Sequence, residues 1–487
     1  MMGGLAAREK SRRMNSKKAG RFQQVRARTR TGGDMSPIRL MATTGILGYG
    51  FTEEAFNAGI AMKPDLIACD AGSSDPGPHY LGSGTAFVSR AAAKRDLSLM
   101  VSAGMEHGIP VMVGSAGGSG SDAQVDWTLE ILKEICAEKN LTPKVRVIRT
   151  EQTKDAIKAK VRAGKITPLG PIADLTEDDV DQSSRIVAMM GPEAYQQALA
   201  DGADVVIAGR GTDAALFAAL PLMKGADPGL AWHLAKIIEC GAQVVEPREG
   251  QDCVIGTIYD DHFTVEPGSP IRRATVTRVS AHTLYENPEP YRLKEPDGIL
   301  VTDRCTFEQL DERTVKVSGS RYEPSEKYTV KLEGARPLGY RTVFIAGIRD
   351  PILIDIIDDF VEACRGRIAR DVGTLGINAE DYTLSVHLYG KNAVMGSLEP
   401  EADQPIHEIG LLLDVLGKTE DISRAVLAKS RYAFLHTDFP GRMCISGNLA
   451  IPFSPSDMHV GPVYEFNVWH VMECDPMEPV RMEWLEI

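Results

Sequence analysis

Short apolar runs that break into glycine-rich turns recur through the first half of the chain: "IRLMATTGILGYG" at 38–50, "DLIACDAGSSDPG" at 65–77, "IPVMVGSAGGSGSD" at 109–122 and "ADVVIAGRGTDAA" at 203–215. Each predicts a buried strand that leaves its sheet through a turn. Helical periodicity fills 86–107, 123–139, 151–163 and 192–201, and "KVRVIRT" at 144–150 adds another strand. Strands alternating with helices of this length predict βαβ units, hence a mostly parallel sheet with helices on both faces. Such sheets bind ligands outside the carboxyl ends of their strands. The four glycine turns are therefore expected on one rim.

From about residue 240 the pattern changes. "CVIGTIYDDHFTVEP" (253–267), "RRATVTRVSAHTLYE" (272–286), "RTVKVSGSRY" (313–322), "KYTVKLEG" (327–334) and "RTVFIAGIR" (341–349) alternate as strands do, with turn residues between them. An amphipathic helix at 351–371 closes this unit. "YTLSVHLYG" (382–390), a helix at 419–430 and the strand-like "GPVYEFNVWHVMEC" (461–474) follow. The expected fold class is α/β, followed by a strand-rich α+β unit and a small α+β C-terminal domain. The expected boundaries are a basic leader 1–34, a glycine-loop domain 35–245, a strand-rich domain 246–372 and a C-terminal domain 373–487.

Charge changes this picture at the N-terminus. Residues 1–34 carry ten Lys/Arg against two Asp/Glu, which leaves −21 on the rest of a 487-residue chain whose total is −13. The leader has little to bury and is expected to be disordered. It reads as a targeting peptide, a nucleic-acid arm or an over-extended start ahead of Met35 or Met41. The acidic remainder argues against nucleic acid as a partner. No apolar run is long enough to cross a bilayer, so no membrane partner is expected. Eight scattered cysteines without a CxxC pair read as reduced thiols of a cytoplasmic protein rather than a disulfide framework. Homo-oligomerisation is left open.

Which chemistry do the turns carry? "GSAGGSGSD" has no Lys-Ser/Thr after its glycines, and neither "GILGYG" nor "GSGTAF" spells GxGxxG. An NAD or ATP fingerprint is absent, the cofactor stays unassigned, and a divalent metal is compatible with the carboxylates nearby. The small residues Ser115, Gly117, Gly118 and Ser119 read as backbone donors around the anionic end of a small-molecule substrate. Asp70, Asp75, Asp122 and Asp213 stand at strand ends, where a carboxylate serves as acid–base group, metal ligand or helix cap. Arg210, between glycines, is placed to grip a carboxylate or phosphate. In the second unit Asp261, His262, His282, Tyr285, Glu286 and Arg321 are candidates for proton transfer and substrate binding. His79 with Asp70 and Asp122 offers a metal-dependent alternative. Cys69, beside Asp70, offers a nucleophile. The polar stretch 435–459, with His436, Asp438, Arg442 and Asn448, is a binding loop or a structural connection.

Together "TTGILGYGF", "DLIACDAGSSDPGPHYLGSGTAFVSRAAAKRDL", "VGSAGGSGSD", "MMGPEAYQQAL", "DVVIAGRGTDAALFAALPL" and "SAHTLYENPEPYRL" resemble the acyclic terpene utilisation protein AtuA family over about 41–365. The tail, with "SRYAFLHTDFPGRMC", distantly resembles a small domain that accompanies AtuA-like proteins. The chain departs from better-known members in its "CDAGSSDPGPHY" loop, where they carry a "GAGFSGDR"-like version, and it lacks their "RSGDKG" stretch. It therefore reads as a divergent branch. The resemblance implies catabolism through acyl-CoA intermediates. With no redox fingerprint in view, the expected chemistry is proton transfer on a small carboxylate or its CoA thioester, by a lyase, hydratase or isomerase. Asp70, His282 and His262 are the catalytic candidates; Ser115, Gly117, Gly118, Ser119, Asp122, Arg210, Asp213 and Arg321 are the substrate-binding ones. The alternatives are a non-catalytic accessory subunit of an acyl-CoA enzyme and a metal-dependent hydrolase.

Overall fold

A computed structural model of the chain describes residues 36–247 and 250–487. The leader expected at 1–34 lies outside them. At the centre are five parallel strands: β1 (Ile38–Ala42), β2 (Leu66–Asp70), β3 (Val111–Gly114), β4 (Val145–Arg149) and β5 (Val205–Ala208), in the spatial order β1-β2-β3-β5-β4. Strand periodicity of two assigns their faces. Leu40, Leu66, Ala68, Met112 and Val206 face helices Asp213–Met223 and Pro228–Ile238, around the fully buried Trp232. Met41, Ile67, Val111, Val113 and Ile207 face the opposite layer, helices Arg90–His107 and Asp122–Lys139. Both faces are covered, as near-continuous apolar strands require.

Local signals start and stop these helices. Ser89 accepts from Ala92 N–H ahead of Arg90–His107, and Gly108 ends it with φ +66°. Gln124 accepts from Ser121 N–H at the start of Asp122–Lys139, and Asn140 ends that helix with φ +54°.

The sheet does not stop at the expected boundary near 245. Val254–Ile258, His262–Pro267, Val315–Ser318 and Thr306–Gln309 extend it antiparallel beyond β1, and the C-terminal Arg481–Leu485 pairs with β4 at the other edge. Two expected elements are corrected. Residues 276–283, read as part of a strand, form a helix that Thr275 caps by accepting from Arg278 N–H. Val276, Val279 and Thr283 follow helical spacing that the alternating Thr and Arg residues concealed. The two strands expected at 327–334 and 341–349 are the ends of one 20-residue strand, Thr329–Ile348. It passes Pro337 and Gly339 as register shifts against Asp457–Glu473 rather than as a turn.

That strand joins two cores. Its first half packs with Arg185–Met189 over Val330 and Leu332. Its second half packs Phe344 with Ile409–Gly417 and helices Ile357–Gly373 and Glu420–His436 around Phe360 and Phe434. Among the described residues no helix is long and apolar enough to cross a membrane. All eight cysteines are free.

Candidate active site

The parallel order of β1, β2, β3 and β5 puts the four glycine turns on the carboxyl-end rim, as expected. At that rim Asp70 closes β2, 3 % exposed. Gly72 N–H donates to its Oδ2 at 2.8 Å. Ser115, the residue after β3, hydrogen-bonds Asp70 as well. The Ser115 hydroxyl in turn accepts from Arg210 Nη1 at 3.2 Å and from Gly211 N–H at 3.4 Å. Ser115 holds φ +47° to do this, a conformation that a non-glycine residue adopts at a cost. A Cβ on Gly114 would come within 2.6 Å of Asp70 Oδ1 and 3.0 Å of the Tyr195 hydroxyl, so both polar groups converge over the strand ends.

Burial, then the charge of Asp213, drives the Asp70 carboxyl up to about 8, against the opposing pull of Arg210. The Arg210 guanidinium is itself buried at the end of β5. Its Nε reaches Glu333 Oε2 at 3.1 Å, and its Nη1 reaches Asp213 Oδ1 at 3.2 Å. Burial opposes its charge, and Glu333 foremost among the neighbouring carboxylates more than offsets that, which holds it charged. Burial would raise Glu333, but Arg210 and Lys331 outweigh it and hold that carboxyl at about 2. Lys331 Nζ lies 2.8 Å from Glu333 Oε1 and over the Trp469 ring. Asp213, at 36 % exposed, is the carboxylate of this network that solvent reaches most.

Glu295 is buried beside Thr212, accepts from its Oγ1 at 3.3 Å, and is raised by burial to about 8. Two buried carboxyls thus stand near neutrality around a more exposed third one. Groups so poised can give and take protons at physiological pH.

Two close approaches explain why glycine is needed here. A Cβ on Gly72 would lie 2.3 Å from Arg210 Nη1 and 2.5 Å from Ser115 Cβ. On Gly120, at φ +65°, it would lie 2.1 Å from the Arg210 backbone nitrogen. The glycine loop is therefore a packing element that seats Arg210.

The loop's own donors, expected to face an anion, are largely engaged within the protein. Residues 115–121 are buried, Ser115, Ala116, Gly118 and Gly120 N–H groups donate to backbone carbonyls, and Ser119 N–H donates to Gln124 Oε1. Gly117, at φ +73°, packs on Gln124, and Gly118 on Phe87.

Other expected site residues fall elsewhere. Asp122 is paired with Arg481 at 2.6 Å, and its N–H donates to Glu151. His262 lies in the hairpin after Ile258, which pairs with Ile38 at the opposite rim, and is bonded to Asp261 at 2.6 Å. Arg321 pairs with Asp303 on the surface. Its backbone packs on Gly229, a helix length of about 15 Å from the rim. The proposed metal set of Asp70, Asp122 and His79 is not assembled: among the described residues the cluster of ligating type is Glu239, Cys240 and His282. Cys69 is an internal thiol that burial, foremost, pushes well above its ordinary value, which disfavours the thiolate. Asn448 ties 435–459 to its helix by donating to the Phe434 and Thr437 carbonyls.

Sequence reasoning passed over Tyr195, Lys236, Glu239, Glu295, Lys331 and Glu333. Lys236 and Glu239 were visible as charges inside the apolar run "GLAWHLAKIIEC". Lys331 and Glu333 were visible as the polar phase of a strand whose other phase, Val330 and Leu332, is core.

A sequence model described as acyclic terpene utilisation family protein AtuA matches residues 90–252 and 264–447. The match runs past residue 365 into the region expected to be a separate accompanying domain, and it begins after the Asp70 loop. No curated protein and no solved structure matches the chain closely enough to be counted.

Proposed function

The chain belongs to the acyclic terpene utilisation AtuA family, and from that premise we propose that it is a catabolic enzyme moving a proton on a small carboxylate or its CoA thioester. The reaction class is a lyase, hydratase or isomerase step. One observation carries this reading: Asp70 is a buried carboxyl at a strand end, raised to about 8 and hydrogen-bonded to Ser115 beside the buried Arg210.

Each group has a part. Asp70 takes the substrate proton and returns it, since its affinity for protons lies near physiological pH. The Arg210 charge, fixed by Glu333, lies beside the reacting centre and stabilises negative charge as it develops. Because Nε and Nη1 are engaged by protein groups, Arg210 acts mainly through its field. The Asp213 charge helps to raise Asp70, and Glu295 stands beside Thr212 as a second protonated carboxyl.

A thermal-shift screen of the full chain against branched 2-enoyl-CoA thioesters, their free carboxylates, nucleotides and free CoA tests this. Stabilisation by thioesters or carboxylates that survives in Asp70→Asn, with turnover lost in that variant, supports the assignment. Full turnover by Asp70→Asn sinks it.

A further inference from the structure

The cluster of Glu239, Cys240 and His282 is built differently from the Asp70 network. We propose that these three side chains bind one zinc-class divalent cation, with a fourth position open to water or a substrate oxygen. The donor atoms of all three lie within 4.8 Å of one another. One thiolate, one imidazole and one carboxylate form a mixed sulfur, nitrogen and oxygen set, which suits a borderline ion such as Zn2+ better than Mg2+ or Ca2+. Three protein donors in place of four are the pattern of a site with an exchangeable ligand.

The chain converges on this point from separate elements. Glu239 ends helix Pro228–Ile238, and Cys240 follows in the turn that Gly241 completes with φ +58°. The loop after β1 closes on that turn, where a Cβ on Gly45 would lie 2.9 Å from the Cys240 carbonyl oxygen. His282 arrives in the last turn of helix Val276–Thr283 and is buried. Its ring is stacked on Tyr285 at 5.1 Å and 19°, which fixes its plane.

The neighbours orient the donors. Lys236 Nζ holds Glu239 Oε1 at 2.8 Å, which leaves Oε2 to face the metal. That oxygen now accepts from the Cys240 thiol at 2.9 Å. Binding would replace the thiol proton with the cation, releasing the proton to solvent.

The local charge favours a cation. A dication and Lys236 offset the Glu239 carboxylate, the Cys240 thiolate and Glu286, which lies 3.7 Å from Lys236, and the nearby Asp213 charge adds to the pull. A buried group of this kind is tolerated when its charges are paired.

The test uses the full chain, stripped with chelator and titrated with Co2+ and Zn2+, with bound metal measured by elemental analysis. A single equivalent of Co2+ with a thiolate-to-cobalt charge-transfer band is expected. Cys240→Ser should abolish the band, and His282→Ala should weaken binding by more than the ~100-fold typical of losing a supporting neighbour. Unchanged circular dichroism in both variants ties these losses to ligation. Cys444→Ser, which removes an exposed thiol, should change nothing. The proposal is overturned if the stripped chain takes up no stoichiometric metal, or if the band survives Cys240→Ser or vanishes in Cys444→Ser. None of these readouts depends on turnover, so the outcome is independent of the role given to Asp70.

Discussion

Replacing Asp70 with Asn should make the protein more stable while removing its activity. The Asp70 carboxyl titrates at about 8 in the folded protein because of burial and then Asp213, against an ordinary value of 3.8. Between those values the native state keeps a proton that the unfolded chain releases, so stability is full below the lower value and falls as pH rises through the window. Each pH unit inside it removes about 1.4 kcal/mol, so about 3 kcal/mol goes between roughly pH 5 and 7. Asn has the same shape, can accept from Gly72 N–H, and does not titrate. Urea unfolding of both proteins across that range should show the variant gaining on the wild type by about 3 kcal/mol. Groups remote from Asp70 are shared and cancel in the difference, while Asp213, whose charge acts on Asp70, titrates jointly with it and belongs to the same pH window. Parallel stability curves would refute the reasoning, because they would mean that Arg210 keeps Asp70 ionised in the folded state.

Other consequences follow from the same geometry. Glu333→Ala leaves Arg210 with one fewer counter-charge in a buried site and should destabilise the chain by about 3–5 kcal/mol, read by urea unfolding, with Glu333→Gln milder. Gly120→Ala places a Cβ against the Arg210 backbone at φ +65°, and it should cost at least about 1–3 kcal/mol and lower turnover by shifting Arg210. Trp232→Ala empties a fully buried site stacked on Tyr322, for a loss of about 3–5 kcal/mol in unfolding free energy. Iodoacetamide should alkylate Cys444 first of the eight cysteines, since hydrogen bonds from Ser446 and Gly447 lower that exposed thiol to about 7. Mass spectrometry of partially labelled protein checks the order.

The parallel half of the fold was legible because buried strands and their following glycine turns leave a strong local pattern. The rim position of Asp70, Arg210 and Asp213 followed from that pattern. Contacts made across hundreds of residues left weaker marks. Nothing local announces that Glu333, 123 residues after Arg210, becomes its partner. The glycine loop carries two readings for a physical reason: positive φ and absent side chains serve close packing as well as anion binding, and the packing role shows in the hydrogen-bond partners of Ser119 and Gly120. His262 lies at the opposite rim because the hairpin after Ile258 reverses the chain there, and Arg321 opens a strand of a separate three-stranded sheet, placements that no local pattern announces.

The central claim is that Asp70 exchanges a proton with substrate. Incubating the full chain in D2O with branched 2-enoyl-CoA thioesters and following deuterium incorporation by NMR tests it most directly. The account predicts enzyme-dependent incorporation beside the carbonyl or at its vinylogous position, lost in Asp70→Asn although the thioester still binds. Incorporation at the wild-type rate in Asp70→Asn would contradict it.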